Sequence, residues 1–490
     1  MKLHQLALAV AITTLPTMSV FAAALDRSGQ PMNAFFQEGN YFEAGLSVLD
    51  PTVSGKEAGK TPTSRNVPDM GESYIFPTAA LKLQPHEKFS IGLLYDQPFG
   101  AEAEYSGNNA FVANSATDTT NSLTNLIKPV VTRAVTTAVA GQQGLTNPTS
   151  AQLQAIAENP AVQSQINTRT NAQVTALTSN FGNFLGADGE ATNVSVHTQS
   201  LSLVAGYQPT KNFNIYAGPV YQTVKGDVHL RGTAYSLFNG YDFNAPETGG
   251  VGWLAGFAYS KPEIALRAAV TYRSEIDHDI SGTESIPALN VVSHPALGGL
   301  LTQLNSSTAN MQAIAASENK TKITLPQSVN LDLQSGIAPD TLAFVNVRWV
   351  DWSKFAIQPH KFGLLSKEIG ALAQRPNGFN LIQYSKDQIS ATAGVGRKFN
   401  DQWTGSVAVG WDSGTSDLVS ILGPTKGYWN LGLGVQYSPQ KNYFIAGGVK
   451  HFWLGDAKAQ TGAQAGGNDY SSEFKDNKAW AYGLKIGYKF

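Results

Sequence analysis

Trp480-Ala481-Tyr482-Gly483-Leu484-Lys485-Ile486-Gly487-Tyr488-Lys489-Phe490 alternates without exception: each even position is large and apolar or aromatic, and each odd one is Ala, Gly or Lys. Period two puts the two sets on opposite sides of a strand. The odd set is too small and too charged to fill the core of a sandwich, so the wetter side is the enclosed one. An apolar outer face with rings at its ends is what a strand facing lipid requires. Trp429, Leu431, Leu433, Val435 and Tyr437 repeat the pattern against Asn430, Gly432, Gly434 and Gln436, as do Ile323, Leu325, Val329, Leu331 and Leu333 against Thr324, Ser328, Asn330 and Asp332. Ile264, Leu266, Ala268, Val270 and Tyr272 alternate with Arg267, Thr271, Arg273 and Glu275. An Arg on the lipid side costs roughly 2–4 kcal/mol at the midplane, so Arg267, Arg273 and Glu275 are expected in the lumen.

Extended along the chain, the alternation predicts strands near 41–53, 72–84, 88–105, 193–208, 212–231, 251–260, 263–281, 320–337, 341–357, 386–399, 402–413, 427–438, 442–456 and 477–490. Tight turns are expected at Pro85 to Glu87, Pro209 to Lys211, Lys261 to Pro262, Ala338 to Asp340, Asn400 to Asp401 and Pro439 to Lys441, alternating with long connections. Short turns belong to the periplasmic side of an outer-membrane barrel and long loops to the outside. The expected fold is all-β: a transmembrane antiparallel β-barrel of about fourteen strands over residues 41–490, with helical extracellular loops and a short N-terminal lumenal segment, residues 23–40.

Composition agrees. Of 490 residues, 14% are charged, well under the roughly 25% of a soluble domain, while Gly reaches 47 and aromatics 10%. Lys plus Arg is 34 against 36 for Asp plus Glu, which leaves no basic field for nucleic acid. With no Cys, thiolate metal sites, disulfides and cysteine nucleophiles are excluded. Lys2, the apolar run from Leu6 to Leu15 and the small residues Val20, Ala22 and Ala24 mark residues 1–22 as a secretory signal, too interrupted by Thr13, Thr14, Pro16 and Ser19 to span a bilayer.

The interruptions carry the functional expectations. Tyr95-Asp96-Gln97-Pro98-Phe99-Gly100 sets a Pro and a Gly inside the third strand. Proline removes a ladder hydrogen bond, and in a closed barrel this predicts either a plain bulge near a rim or a kink that opens the wall. The connection 106–192 is too long for a plain loop, and Leu123, Leu126, Ile127 and Val130 recur in it at helical spacing; Val162, Ile166, Val174 and Leu177 follow Pro160 in the same way. A second helical loop is expected over 282–319, around Leu300, Leu301, Leu304, Met311 and Ile314. Such faces either pack on each other over the barrel mouth or form an external capture surface, for which Leu123, Leu126, Ile127, Val130, Leu300, Leu301 and Leu304 are the candidates.

Val270-Thr271-Tyr272-Arg273-Ser274-Glu275, Leu325-Pro326 opening a strand, Trp349-Val350-Asp351-Trp352-Ser353-Lys354-Phe355 and the ending Tyr482 to Phe490 resemble the FadL/TodX family of outer-membrane transporters for long-chain fatty acids and hydrocarbons, over most of the mature chain. The resemblance implies a bacterial outer-membrane location, a fourteen-stranded barrel with an N-terminal hatch, and sideways exit of substrate at a kink in the third strand, here Asp96, Gln97, Pro98, Phe99 and Gly100. It further implies basic residues holding a fatty-acid carboxylate; Arg231 and Lys386 match by local similarity. The hatch region is short and lacks Asn-Pro-Ala, and the longest helical loop sits one hairpin earlier than in the fatty-acid transporter. Expected partners are hydrophobic small molecules such as long-chain fatty acids, outer-membrane lipid, and the barrel assembly machinery through the strand ending in Phe490.

A buried methylene is worth roughly 0.8 kcal/mol, so an acyl chain of about sixteen carbons resists a water-filled pore by on the order of 10 kcal/mol. Passive transfer between apolar surfaces is the expected mechanism, without cofactor or metal. Two rivals are a general diffusion porin and a barrel enzyme. The enzyme would need a nucleophile with base and orienting partner, but no Gly-x-Ser-x-Gly occurs, and His197, His229, His278, His294, His360 and His451 lack metal-ligand spacing.

Overall fold

The structure, a computed structural model, describes residues 25–292, 307–370 and 375–490. The expected signal, residues 1–22, and Leu300, Leu301 and Leu304 lie outside the described residues. Fourteen antiparallel strands form one ring: β1 (Tyr41–Thr52), β2 (Tyr74–His86), β3 (Phe89–Asp96, resuming as Gly100–Glu104), β4 (Asn193–Thr210), β5 (Phe213–Leu230), β6 (Tyr241–Lys261), β7 (Leu266–Arg273), β8 (Ser328–Ala338), β9 (Thr341–Val350), β10 (Gln388–Lys398), β11 (Trp403–Asp412), β12 (Tyr428–Gln440), β13 (Tyr443–Leu454) and β14 (Lys478–Lys489). Pairing of Tyr41 with Lys489 through Thr52 with Lys478 closes the ring. Closure removes both sheet edges, the requirement for backbone in hydrocarbon.

Burial follows the alternation. On β12, Trp429, Leu431, Leu433 and Val435 are exposed while Asn430 and Gln436 are buried. Ring pairs gather at two heights of the wall: Phe89 with Tyr207, Phe213 with Phe257 and Trp403 with Tyr437 near the short turns, and Trp411 with Trp429 and Trp253 with Tyr272 near the long loops. These are the aromatic girdles that anchor such a wall at the two interfaces. Arg267 and Arg273 point inward as expected.

Glu275 does not. β7 stops at Arg273, and after Ser274 and Glu275 the chain resumes as Ile276–Ile280, a ribbon paired only with Thr321–Leu325. The lost parity leaves Glu275 at an exposed position beyond the strand end. β6 starts ten residues before the expected 251, because Tyr241, Phe243 and Ala245 pair with Leu230, Val228 and Gly226 of β5.

The long connection contains α1 (Ser115–Gln142), α2 (Ser150–Glu158) and α3 (Pro160–Phe181). Each start is capped: the side chain of Asn114 accepts from the Thr117 amide, Thr149 and Gln152 form a reciprocal box, and Asn159 precedes Pro160. Leu123, Ile127, Val131 and Val135 of α1 pack with Ile156 of α2 and with Val162, Ile166, Val174 and Leu177 of α3. α4 (Pro287–Val292) and α5 (Thr308–Ala316) lie in the second loop, with Met311 and Ile314 buried. α6 (His360–Ile369), unannounced by the alternation, buries Phe362 and Leu365 over the barrel mouth.

Candidate functional site

The hydrogen-bonded register of β2 with β3 runs from His86 opposite Phe89 to Ala79 opposite Tyr95 and stops there. β2 continues to Tyr74, but β3 past Asp96 leaves it: Gly100 to Glu104 pair with β4, resuming at Gly100 opposite His197, while on the other side Phe99 bridges Asp26 of the N-terminal segment and Ala103 bridges Gly71. Between Asp96 opposite Ser200 and Gly100 opposite His197, four steps on β3 meet three on β4, so one residue is extra. Pro98 has no N–H to give, and the Thr198 hydroxyl stands in for the missing ladder: it accepts from the Phe99 amide (2.9 Å) and donates to the Phe99 carbonyl (2.7 Å). The wall is therefore unpaired between Tyr74–Thr78 of β2 and the kink of β3.

Behind this break lies the N-terminal segment. The Arg27 amide donates to the Pro98 carbonyl (2.6 Å), the Gly100 amide donates to the Leu25 carbonyl (2.8 Å), and Ser28 Oγ donates to Asp96 (2.6 Å). The Arg27 guanidinium stacks 3.6 Å from the centre of the Tyr74 ring, and a Cβ on Gly100 would come within 2.3 Å of its Cζ. Only glycine permits that approach. The segment then crosses the lumen. Asp26 accepts from Arg348 Nε on β9 (2.6 Å, both side chains 2% exposed), and Arg348 also donates to Gln30, Ser328 and Asn330. Phe35 lies on Gly92 and Gly206 and against Tyr216. Met32, Ala34 and Phe35 are buried among residues of β1 to β7 and β13, so the segment occupies the lumen at this level. A general porin needs that space open.

A small cavity of about 280 Å³, lined by Gln30, Phe99, Arg273 and Ile276 among others, lies against the segment and the kink, and two larger cavities flank the segment. One, about 450 Å³ of empty space, adjoins the break and is lined by Leu25, Gly100, Ala101, Val196, Ile382 and Tyr384 among others, with no charged residue. The other, about 1060 Å³ and partly open to solvent, lies toward the short turns and carries Glu43, Arg267, Asp332, Lys450 and Lys485.

The profile of the family described as outer membrane protein transport protein (OMPP1/FadL/TodX) matches residues 131–490. The chain belongs to this family. Among solved structures it is similar to a Pseudomonas aeruginosa FadL homologue, with TM-score 0.58 and 13% identity over 94% of this chain and 92% of that one. It is also similar to the P. putida toluene transporter TodX, with TM-score 0.51 and 10% identity over 93% and 91%. At such identity these likenesses speak for the fold alone. No curated protein sequence matches the chain. The protein is an outer-membrane β-barrel transporter of the FadL/TodX family, whose members carry hydrophobic compounds.

In this FadL/TodX member the two cations chosen by local similarity are not brought together. Arg231 is held by Glu190 (2.6 Å) and Asp242 (2.7 Å) and by the carbonyls of Leu230 and Tyr241. Lys386 bonds Asp417, and its ammonium holds that carboxyl below the usual range. Tyr384 reaches the apolar cavity, but neither Arg231 nor Lys386 lines it. The capture surface needs correction too: Leu123, Leu126, Ile127 and Val130 are all buried, because the apolar row of α1 is consumed by α2, α3 and the mouth of the barrel. Asp96, Gln97, Pro98, Phe99 and Gly100 do sit together at the break. Of the inward cations that meet the segment, Arg267 and Arg273 belong to the alternating run read in the sequence, whereas Arg348, one residue before Trp349, and Arg27 had no sequence signal.

Proposed function

We propose that this transporter takes up hydrophobic compounds such as long-chain fatty acids, holds them in the apolar cavity beside Gly100, and releases them sideways through the unpaired stretch between β2 and β3. The observation that carries this is the coincidence of the two features: the uncharged cavity abuts the one kink where pairing of β2 with β3 is lost. A ligand with many methylenes moves there from one apolar environment to another without crossing water, which would cost about 0.8 kcal/mol per methylene. TodX of P. putida is described as a toluene transporter, so aromatic hydrocarbons fall within the same class of cargo.

Pro98→Ala together with Gly100→Ala supplies an N–H at 98 and a Cβ where the Arg27 guanidinium now lies, which favours a continuous β3. Uptake of radiolabelled oleate by cells that depend on this protein is expected to fall by about tenfold, roughly 1.4 kcal/mol on the barrier, with heat-dependent gel migration unchanged. Equal uptake by folded double variant and parent would overturn the sideways exit.

A further inference from the structure

We propose a second sideways port in the wall, between β6 and the ribbon that follows β7, through which compact uncharged hydrophobic compounds pass between the lumen and the outer leaflet. On its β5 side, β6 is paired from Tyr259 to Tyr241. On the other side its ladder with β7 ends at Leu254 opposite Arg273, and its next strand partner is Thr283, opposite Asn244. Residues 245–253 thus have no strand on that side among the described residues. The Ser274 amide donates to the Trp253 carbonyl and the Trp253 amide donates to Ser274 Oγ, both at 2.9 Å, and His278 Nδ1 donates to the Thr248 carbonyl (3.2 Å). Side chains stand in for the ladder here, as the Thr198 hydroxyl does at the kink of β3. Nor does β8 fill the gap, since it begins at Ser328 opposite Arg273, just after Pro326, which has no N–H to give.

Asp96 of the kink faces Ser200, Ser200 faces Gln222 and Gln222 faces Gly250, so the two breaks lie on one cross-strand row. Trp253 belongs to the upper girdle, and the unpaired stretch therefore starts where acyl chains meet head groups. Unpaired backbone persists at that depth only where protein covers it or where it lines a cavity. The ribbon is the cover. A Cβ on Gly250 or on Gly252 would come within 2.6 Å of Ile276, so this side chain is seated on bare backbone, on the same inward face as the buried Leu254 and Ala258. Ile276, Ile280, Ile323 and Leu325 of the ribbon are buried, whereas Asp277, Asp279 and Lys322 are exposed. Behind the cover lies the cavity of about 280 Å³, whose lining runs from Phe99 at the kink to Trp253 and Ser274 at the wall. Lifting the ribbon joins that cavity to the leaflet along Ile276, Leu325 and Pro326. It is smaller than the cavity of about 450 Å³ beside Gly100, which suits it to compact cargo and not to a long chain. The port uses other strands than the exit between β2 and β3 and does not rest on it.

The chain has no Cys, so Gly250→Cys with Ile276→Cys introduces a single disulfide that pins the ribbon to β6. A Cβ at 250 lies within 2.6 Å of a methyl of Ile276, close enough for the bond to form. Uptake of radiolabelled toluene by cells that depend on this protein is expected to fall by about threefold in the oxidised variant and to recover on reduction, with oleate uptake within about twofold of the parent. Gly250→Leu drives Ile276 off its seat without any new bond, and is expected to raise toluene uptake by about threefold. Thiol labelling reports the bridge, and heat-dependent gel migration reports folding. Equal toluene uptake by the bridged and reduced forms, a parallel loss of oleate uptake, or no rise in folded Gly250→Leu overturns the second port and leaves the exit at β3 standing. A parent that takes up no more toluene than cells lacking the protein overturns the compact cargo, and the port with it.

Discussion

Arg348→Ala is expected to free the N-terminal segment from the lumen wall and to raise single-channel conductance in planar bilayers severalfold over the parent. The side chain is the hub of the segment's attachment: it bonds Asp26 and Gln30 on the segment and Ser328 and Asn330 on β8. Asn330 in turn donates to the Gly29 carbonyl (2.7 Å). Removing one member of a buried ion pair strands the other without compensation, which costs about 3–5 kcal/mol. Asp26 is 2% exposed, and the simplest relief is for the segment to leave the lumen and hydrate that carboxylate. Arg348→Met with Asp26→Leu removes both charges and fills the space with apolar atoms, a replacement that is often neutral. The double variant is expected to return to low conductance. A single variant that stays as closed as the parent would mean that the segment is held by its apolar part, Met32 and Phe35, and not by the ion pair.

The same contacts tie the segment to the break. Asp26 and Ser28 alternate with Leu25 and Arg27, so the residues that grip β9 and Asp96 are interleaved with those that touch Gly100 and Tyr74. Loss of the Arg348 grip is therefore also a perturbation of the kink, and Arg348→Ala should alter oleate uptake as well as conductance.

Much of the wall was legible because lipid imposes a one-residue rule on each strand. Trp429 to Tyr437 and Trp480 to Phe490 announce their outer faces with no reference to the rest of the chain, and the six tight turns follow from where the alternation halts. The rule fails where a strand stops obeying two neighbours. Pro246, Gly249 and Gly250 hid the outer half of β6, and the two residues after Arg273 reset the parity that should have put Glu275 inside. Contacts of the segment were invisible for another reason. Asp26 and Arg348 are 322 residues apart, and nothing local in either marks the other. Arg231 looked available in sequence because Glu190, 41 residues away, comes to it only in the fold. The apolar spacing of α1 is likewise blind to its partner: Leu123 and Ile127 would read the same on a landing surface as under α3.

Leu433→Arg is expected to lower the unfolding free energy in lipid vesicles by about 2–4 kcal/mol, the depth-dependent cost of a guanidinium facing lipid near the midplane. Leu433 is 54% exposed, and it stands between Val407 of β11 and Val449 of β13, midway along β12. The contrast that gives the number its meaning is one residue further on. Gly434 shares the inward parity of the buried Asn430 and Gln436, and this stretch of β12 borders the large cavity that also holds Glu43 and Asp332, so Gly434→Arg places the same charge on the wet side, where the cost is expected to stay within roughly 1 kcal/mol. Urea titration followed by tryptophan fluorescence reads both, and heat-dependent gel migration checks that each variant has inserted. Because the two sites are adjacent, they share depth, strand and neighbours, and only the face differs. A soluble barrel or sandwich would reverse the order, tolerating Arg at the exposed 433 and resisting it at the enclosed 434. Equal costs, or the reversed order, would remove the ground for placing Leu433 and its row against hydrocarbon, and with it the membrane setting on which a sideways exit depends.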